Sequence, residues 1–266
     1  MNNKFSFRDL HIYKSGAKNG KTILFLHGAG SNHTMWLNHI QALESRFNCF
    51  VPDLPGHGKS NHVAWTSIGY IGDELAKLIK SKFDKKINLV GFSLGGSLSF
   101  YLLENYPELF ERVLIDGTSA YPLKGSSFLV MALKMISPFV KFDFILNGMV
   151  KSIEIPENEI KSFKENIKLA NRKVFIKSMI HANQYKLKNK EYAKTIPVLY
   201  ASGQKESATM HHSHIELSNI KNESTCVQYP EKGHAWMVSD KDTHVSMVFN
   251  WINKMDSIPK KLKTIS

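Results

Sequence analysis

A short apolar run, Ile87-Asn88-Leu89-Val90, leads straight into Gly91-Phe92-Ser93-Leu94-Gly95-Gly96. This order predicts a strand that turns sharply into a helix-like segment over Ser97–Glu104. A turn of this kind holds its central residue in a strained backbone conformation. It needs small residues two positions to either side, where neighbouring chain would otherwise collide. Ser93 is thereby raised above the edge of a sheet, with the N–H of Leu94 beside it. A free serine hydroxyl is a poor nucleophile, so the segment predicts chemistry only if a base and a carboxylate join it.

The same unit recurs along the chain. Thr22–Leu26 leads into His27-Gly28-Ala29-Gly30, Cys49–Val51 into Pro52-Asp53-Leu54-Pro55-Gly56-His57-Gly58, and Val113–Ile115 into Asp116-Gly117. Val198–Ala201 leads into Ser202-Gly203, and Thr225–Gln228 towards Gly233-His234. Between these runs lie helix-spaced apolar sets. They are Trp36, Ile40 and Leu43, then Ile68, Ile71, Leu75, Leu78 and Ile79, then Val245, Val248, Phe249 and Ile252, with Asp242 a candidate cap for the last. Short apolar strands ending in glycine loops and alternating with helices predict a mostly parallel sheet covered on both faces. Its site is expected at the carboxyl ends of the strands.

One stretch breaks the alternation. From Tyr121 to about Thr195 there is no glycine-bounded strand, only helical segments interrupted at Pro138 and Pro156 and rich in Phe, Met, Leu and Ile. The 266 residues are therefore expected to form one α/β domain, 1–266, with a helical lid inserted at about 121–195. Some of the apolar lid residues are expected to line a pocket.

A base for Ser93 is offered by His234, in Glu231-Lys232-Gly233-His234, where the glycine permits a tight loop aimed at the strand edge. In this architecture the acid falls between serine and histidine in the chain. Glu206, in the loop Ser202-Gly203-Gln204-Lys205-Glu206, is the first candidate, and Asp116 is the rival. Asp240 and Asp242 follow the histidine and read as helix caps. An oxyanion hole needs two converging backbone N–H groups, which Leu94 and Ala29 are placed to supply. His27 and His57 read as structural hydrogen bonders. His211 and His214 share a helix face, but no third ligand is evident, so no metal site is expected. Gly28 and Gly30 do not complete a nucleotide loop, because His33 stands at its last position, and no cofactor is expected.

The net charge of +12 would invite a nucleic-acid reading, but only four of the 35 basic residues are arginine, the usual partner of bases and phosphates. The scattered lysines read as a solvated surface, and no nucleic-acid partner is expected. Cys49 and Cys226 sit in strand-like runs and are expected to be buried free thiols. The start, Met1-Asn2-Asn3-Lys4-Phe5-Ser6, carries no apolar signal core, and Phe128–Val150 is too interrupted by Lys134, Pro138, Lys141 and Asp143 for a membrane span. The expectation is a cytoplasmic protein without stable membrane insertion.

The chain resembles the α/β-hydrolase fold family, in its lid-bearing esterase, lipase and peroxidase-like branch. The resemblance rests on His27-Gly28-Ala29-Gly30, Asp53–Ser60, Gly91–Gly96 and Gly233-His234, which run in the family's order and cover most of the chain outside the lid. It implies an eight-stranded, mostly parallel sheet, a Ser-acid-His triad, and a structural loop at Asp53–Ser60. Many relatives carry Gly-x-x-Asp where this chain has Gly203-Gln204-Lys205-Glu206. An aspartate in place of Ser93 would mark dehalogenases and epoxide hydrolases, which this chain departs from. The function expected is cofactor-free cleavage of a carboxylic ester, thioester or lactone with an apolar acyl or alcohol part, through an acyl-enzyme. Alternatives are carbon–carbon hydrolysis or acyl transfer by the same triad, lipolysis at a membrane surface, and ligand sensing on a hydrolase scaffold.

Overall fold

In the computed structural model, residues 5–220, 223–255 and 257–266 are described, so the signal-sequence expectation for Met1–Lys4 lies outside the described residues. The apolar runs become an eight-stranded sheet of spatial order β1-β3-β2-β4-β5-β6-β7-β8. The strands are β1 (Ile12–Gly16), β2 (Lys21–Leu26), β3 (Phe47–Pro52), β4 (Ile87–Phe92), β5 (Phe110–Asp116), β6 (Val198–Gly203), β7 (Thr225–Tyr229) and β8 (Lys263–Ile265). Strands β2 to β7 pair in parallel, while β1 lies antiparallel on β3 and β8 antiparallel on β7.

The central parallel strands are buried on both faces, which is why they read as mostly apolar runs. Leu24 and Leu26 face one core and Ile23 and Phe25 the other; Val198 and Tyr200 are opposed in the same way to Leu199 and Ala201. Helices α1 (Leu37–Leu43), α2 (Ile68–Lys82) and α3 (Leu94–Asn105) follow the first strands. Then come α4 (Ser126–Ile136), α5 (Asp143–Ser152), α6 (Glu157–Leu169) and α7 (Arg172–Asn183), all between β5 and β6. The last are α8 (Ala208–Ser218), α9 (Trp236–Ser239) and α10 (Lys241–Ile252). Leu75 of α2, Leu98 of α3 and Leu217 of α8 cover one face; Ile40 of α1 and Met247 and Val248 of α10 cover the other.

Two details differ from the sequence expectation. Of the two expected caps, Asp240 alone caps α10, its carboxylate accepting the Thr243 N–H at 3.3 Å. Asp242 sits one residue into the helix, where its charge still complements the helix N-terminus. After α10 the chain returns to the sheet as β8, a strand the apolar runs did not mark. β1 and β8 are edge strands with half-buried or exposed residues, so they carry no apolar run to detect.

The helices α4–α7 share a small core of their own, with Leu133, Val140, Leu146, Ile167, Phe175 and Ile176 buried together. They rest on the loops after β2 and β3. A Cβ on Gly30 would lie 2.7 Å from the Phe175 ring, and one on Gly56 would lie 2.0 Å from Val174 Cγ1. Asn32 Nδ2 donates to Asn166 Oδ1 at 2.9 Å, and Trp65 Nε1 donates to His181 Nδ1 at 3.0 Å. The insertion therefore covers the carboxyl-terminal edge of the sheet, where the glycine loops gather.

Candidate active site

Ser93 occupies the turn between β4 and α3 with φ 52° and ψ −112°, a conformation that side-chain-bearing residues rarely adopt. Close packing enforces it. A Cβ on Gly91 would lie 2.2 Å from Ser99 Oγ, and one on Gly95 would lie 2.1 Å from the Leu26 carbonyl oxygen. The Ser93 N–H donates to the Asp116 carbonyl at 2.9 Å, and Thr118 Oγ1 donates to the Ser93 carbonyl at 2.5 Å. The register between β4 and β5 pairs Phe92 with Asp116, so the two strand-end loops emerge side by side.

The register between β6 and β7 pairs Gly203 with Tyr229, which sets the loop carrying Glu206 beside the loop carrying His234. Lys205 N–H donates to the Lys232 carbonyl at 2.9 Å and stitches the two together. His234 Nδ1 lies 2.5 Å from Glu206 Oε1. That contact orients the ring and leaves Nε2 as its basic nitrogen. The imidazole packs on Phe92, with ring centroids 4.9 Å apart, and against Gly117, where a Cβ would lie 3.0 Å from His234 Cε1. Burial alone lowers the pKa of His234. The charge and hydrogen bond of Glu206, with a smaller contribution from the Asp116 charge, outweigh burial and hold it above the ordinary histidine value.

Asp116, the rival carboxylate, is fully buried at the end of β5, and its contacts are with residues other than His234. Its Oδ1 accepts the Trp236 indole N–H at 3.0 Å, and its Oδ2 lies 3.4 Å from His244 Nε2. His244 Nδ1 in turn lies 2.7 Å from His39 Nε2. This buried Asp116–His244–His39 chain lies behind the site and was not foreseen. Its members come from β5, α10 and α1, and nothing in the local sequence links them.

Two cavities meet at Ser93 and His234, which line both of them together with Ala29 and Phe163. The smaller, about 130 Å³, runs towards Thr34, Asn166 and an ion pair between Lys241 and Glu159. The larger, about 410 Å³, is mostly apolar and is walled by Leu123, Leu129, Met149, Phe175, Met179 and Met210. Leu94 begins α3, so its N–H belongs to the helix terminus, where backbone donors lack intrahelical partners. Ala29 lies across the cavity on the loop after β2.

The other histidines singled out in the sequence have structural partners. His27 Nδ1–H donates to the Gly28 carbonyl at 2.8 Å and its Nε2 accepts the Leu54 N–H at 2.9 Å. Burial lowers its pKa, and that of His57 falls to about 3 for the same reason. Among the described residues, one grouping has metal-ligand chemistry: His11, His33 and Asp53. The Asp53 carboxylate there already accepts the N–H groups of His33 and Lys59 and the His33 ring, and so ties down its own loop. His211 and His214 do not converge, because their rings reach the carbonyls of Gly203 and Thr118 respectively. Cys49 and Cys226 are buried free thiols, with burial pushing both up to about 12.

Two positioning residues were missed in the sequence. Thr118 holds the serine turn, as described above. Glu154, from the insertion, joins both loops of the histidine–glutamate pair. Its Oε2 accepts the Gly233 N–H at 2.9 Å and its Oε1 pairs with Lys205 Nζ at 2.7 Å. The adjacent Ile153 carbonyl accepts the Ala235 N–H at 3.1 Å.

A strand–serine turn–helix in a mostly parallel sheet of eight strands, with a histidine after β7, defines the α/β-hydrolase fold, and this chain is an α/β-hydrolase-fold protein. The family model described as alpha/beta hydrolase fold matches residues 21–143. Over 113 residues, 42% of this chain, it is 30% identical to a pimeloyl-[acyl-carrier protein] methyl ester esterase of Nitrosomonas europaea. It is 32% identical over 113 residues to an uncharacterized Mycobacterium tuberculosis protein. These matches span only 42% and 33% of the relatives' own lengths. Among solved structures, the enol-lactonase from Burkholderia xenovorans LB400 superposes with a TM-score of 0.79 at 18% identity, over 92% of this chain and 96% of that one.

Proposed function

We propose that the protein is a serine hydrolase of carboxylic esters, thioesters or lactones, acting through Ser93, His234 and Glu206. The observation that carries this reading is the 2.5 Å contact between His234 and Glu206 at cavities that Ser93 also lines. In this reading Ser93 Oγ attacks the carbonyl carbon while His234 Nε2 takes its proton, and Glu206 stabilises the imidazolium. The N–H groups of Ala29 and Leu94 receive the oxyanion. His234 then protonates the leaving alcohol, activates water by accepting a proton from it, and so releases the acyl group from Ser93.

The apolar wall of the larger cavity suits an aliphatic or aromatic acyl part, and α4–α7 act as a lid over it. The relatives' names, an ester esterase and an enol-lactonase, fit this bond class. The two free thiols fit a reducing compartment, so we place the activity in the cytoplasm. No described helix is long and apolar enough to cross a membrane.

The test is turnover of p-nitrophenyl esters of short, medium and long acyl chains beside Ser93→Ala. Turnover that falls by about 10⁴-fold or more in the variant supports the reading. Equal turnover by a folded variant overturns it. Failure of every ester with folded wild type moves the assignment to carbon–carbon cleavage or ligand sensing.

A further inference from the structure

The outer face of the insertion is unlike the rest of the surface. Ten large apolar residues are exposed among those described; six lie between Phe128 and Phe144, and Leu169 is a seventh from the same insertion. On α4, Leu129, Leu133 and Ile136 turn inward, towards the cavity wall and the insertion's own core. Phe128, Met131 and Met135, spaced i, i+3 and i+7, form a second apolar stripe that faces out and is between 52% and 71% exposed. The ridge continues through Phe139, Phe142 and Phe144, whose rings meet edge to face at 5.8 and 6.3 Å. A helix that is apolar on both sides is expected to meet a second apolar phase.

Charge says which phase. Residues 121–195 carry fourteen lysines and arginines and six acidic residues, a net +8 of the chain's +12. Several of these cations are held at the ridge. Lys141 Nζ donates to the Lys168 carbonyl at 2.5 Å, Lys168 pairs with Asp143 at 2.9 Å, and Arg172 reaches the Pro138 carbonyl at 3.4 Å. Asp143 is the one acidic residue between 121 and 153. Docking of a second copy through this face would bring two such positive surfaces together. An anionic lipid surface offers both an apolar layer for the rings and counter-charge for the lysines.

We propose that the ridge Phe128–Phe144 is a peripheral docking surface for anionic bilayers. The rings enter the interface while Lys141, Lys168 and Arg172 stay at headgroup level. Docking sets the outer stripe of α4 in lipid while Leu129, on its other side, walls the larger cavity, so an apolar substrate dissolved in the bilayer lies one helix away from Ser93.

The proposal is tested by co-sedimentation of the full chain with sucrose-loaded vesicles, one set of phosphatidylcholine alone and one of equal phosphatidylcholine and phosphatidylglycerol. Ser93→Ala is used throughout, so binding is read apart from turnover. Binding to the anionic vesicles should exceed that to the neutral ones by about tenfold or more and weaken as salt rises. Phe142→Ser with Phe144→Ser should reduce it by about tenfold, and Lys141→Glu should reduce it further. With Ser93 kept as serine, outside the sedimentation assays, the Phe142→Ser, Phe144→Ser variant should hydrolyse a water-soluble ester as wild type does and keep its circular dichroism. Absence of anionic-vesicle binding, or binding unchanged by the phenylalanine substitutions, overturns the proposal. A concentration-dependent dimer in sedimentation velocity, abolished by the same substitutions, would assign the ridge to a second copy instead.

Discussion

Glu206 Oε1 lies 2.5 Å from His234 Nδ1, whereas the Asp116 carboxylate is occupied by the Trp236 indole at 3.0 Å. Both carboxylates stand at the carboxyl ends of neighbouring strands, and their orientations separate their roles. Glu206→Gln should therefore lower kcat by about 10³- to 10⁴-fold, because an amide cannot stabilise the imidazolium and disturbs the ring tautomer. Asp116→Asn should leave kcat within roughly tenfold and act mainly on stability, by breaking a buried pair with His244. Steady-state kinetics of the two variants, with thermal melts, give the ranking; the reverse order would transfer the acid role to Asp116.

The pH profile follows from the raised pKa of His234. A general base works when neutral, so kcat/KM should rise with pH through a value above the ordinary histidine pKa of about 6.5. In Glu206→Gln burial is left with little opposition, and the acid limb should move to lower pH. The same shift bears on stability. With the folded-state pKa raised, protonation of His234 stabilises the fold fully below the ordinary value, and that contribution disappears as pH climbs through the raised one. An acid limb that stays fixed in Glu206→Gln would contradict the assigned cause.

Glu154 holds the loops of both Gly233 and Lys205 from the insertion. Its hydrogen bond with Lys205 is the first cause of a lowered pKa; desolvation opposes it, and the Gly233 N–H adds to the lowering, so the carboxylate persists into mild acid. Glu154→Ala should loosen the placement of His234 and Glu206 and lower kcat by about 10- to 100-fold. Glu154→Gln keeps an acceptor for Gly233 and should recover part of the loss. KM should change little, because the substrate's apolar part meets other walls. A variant with wild-type kcat would remove Glu154 from the positioning set.

Gly56 combines φ +77° with a backbone pressed against Val174 of α7. Gly56→Ala should destabilise by about 1–3 kcal/mol from backbone strain, with a further cost from the clash. Adding Val174→Ala should remove the γ-carbon part of the clash and leave the Cβ contact at 2.6 Å and the strain, so the double variant should melt between Gly56→Ala and wild type. Thermal melts of the three proteins check this.

The inner sheet was legible because strands buried on both faces must be largely apolar, as Val198–Ala201 is throughout and Ile87–Val90 is apart from Asn88. The edges were not, since Lys263–Ile265 needs no such run. The strand-end loops that bring Ser93, Glu206 and His234 together were readable because glycines and chain order mark them locally. The choice between Glu206 and Asp116 was not, because it depends on where the Trp236 indole sits. Thr118 and Glu154 were invisible for the same reason, their partners lying 25 and 79 residues away in sequence.

The central claim is that Ser93 is a nucleophile activated by His234 and Glu206. Its most direct test is labelling with a fluorophosphonate, followed by peptide mass mapping and by the labelling rate in each variant. The account predicts a single adduct on Ser93, no adduct in Ser93→Ala, and labelling slowed by about 10³-fold or more in His234→Ala. Folded wild-type protein that leaves Ser93 unlabelled, or a His234→Ala variant labelled at the wild-type rate, would contradict it.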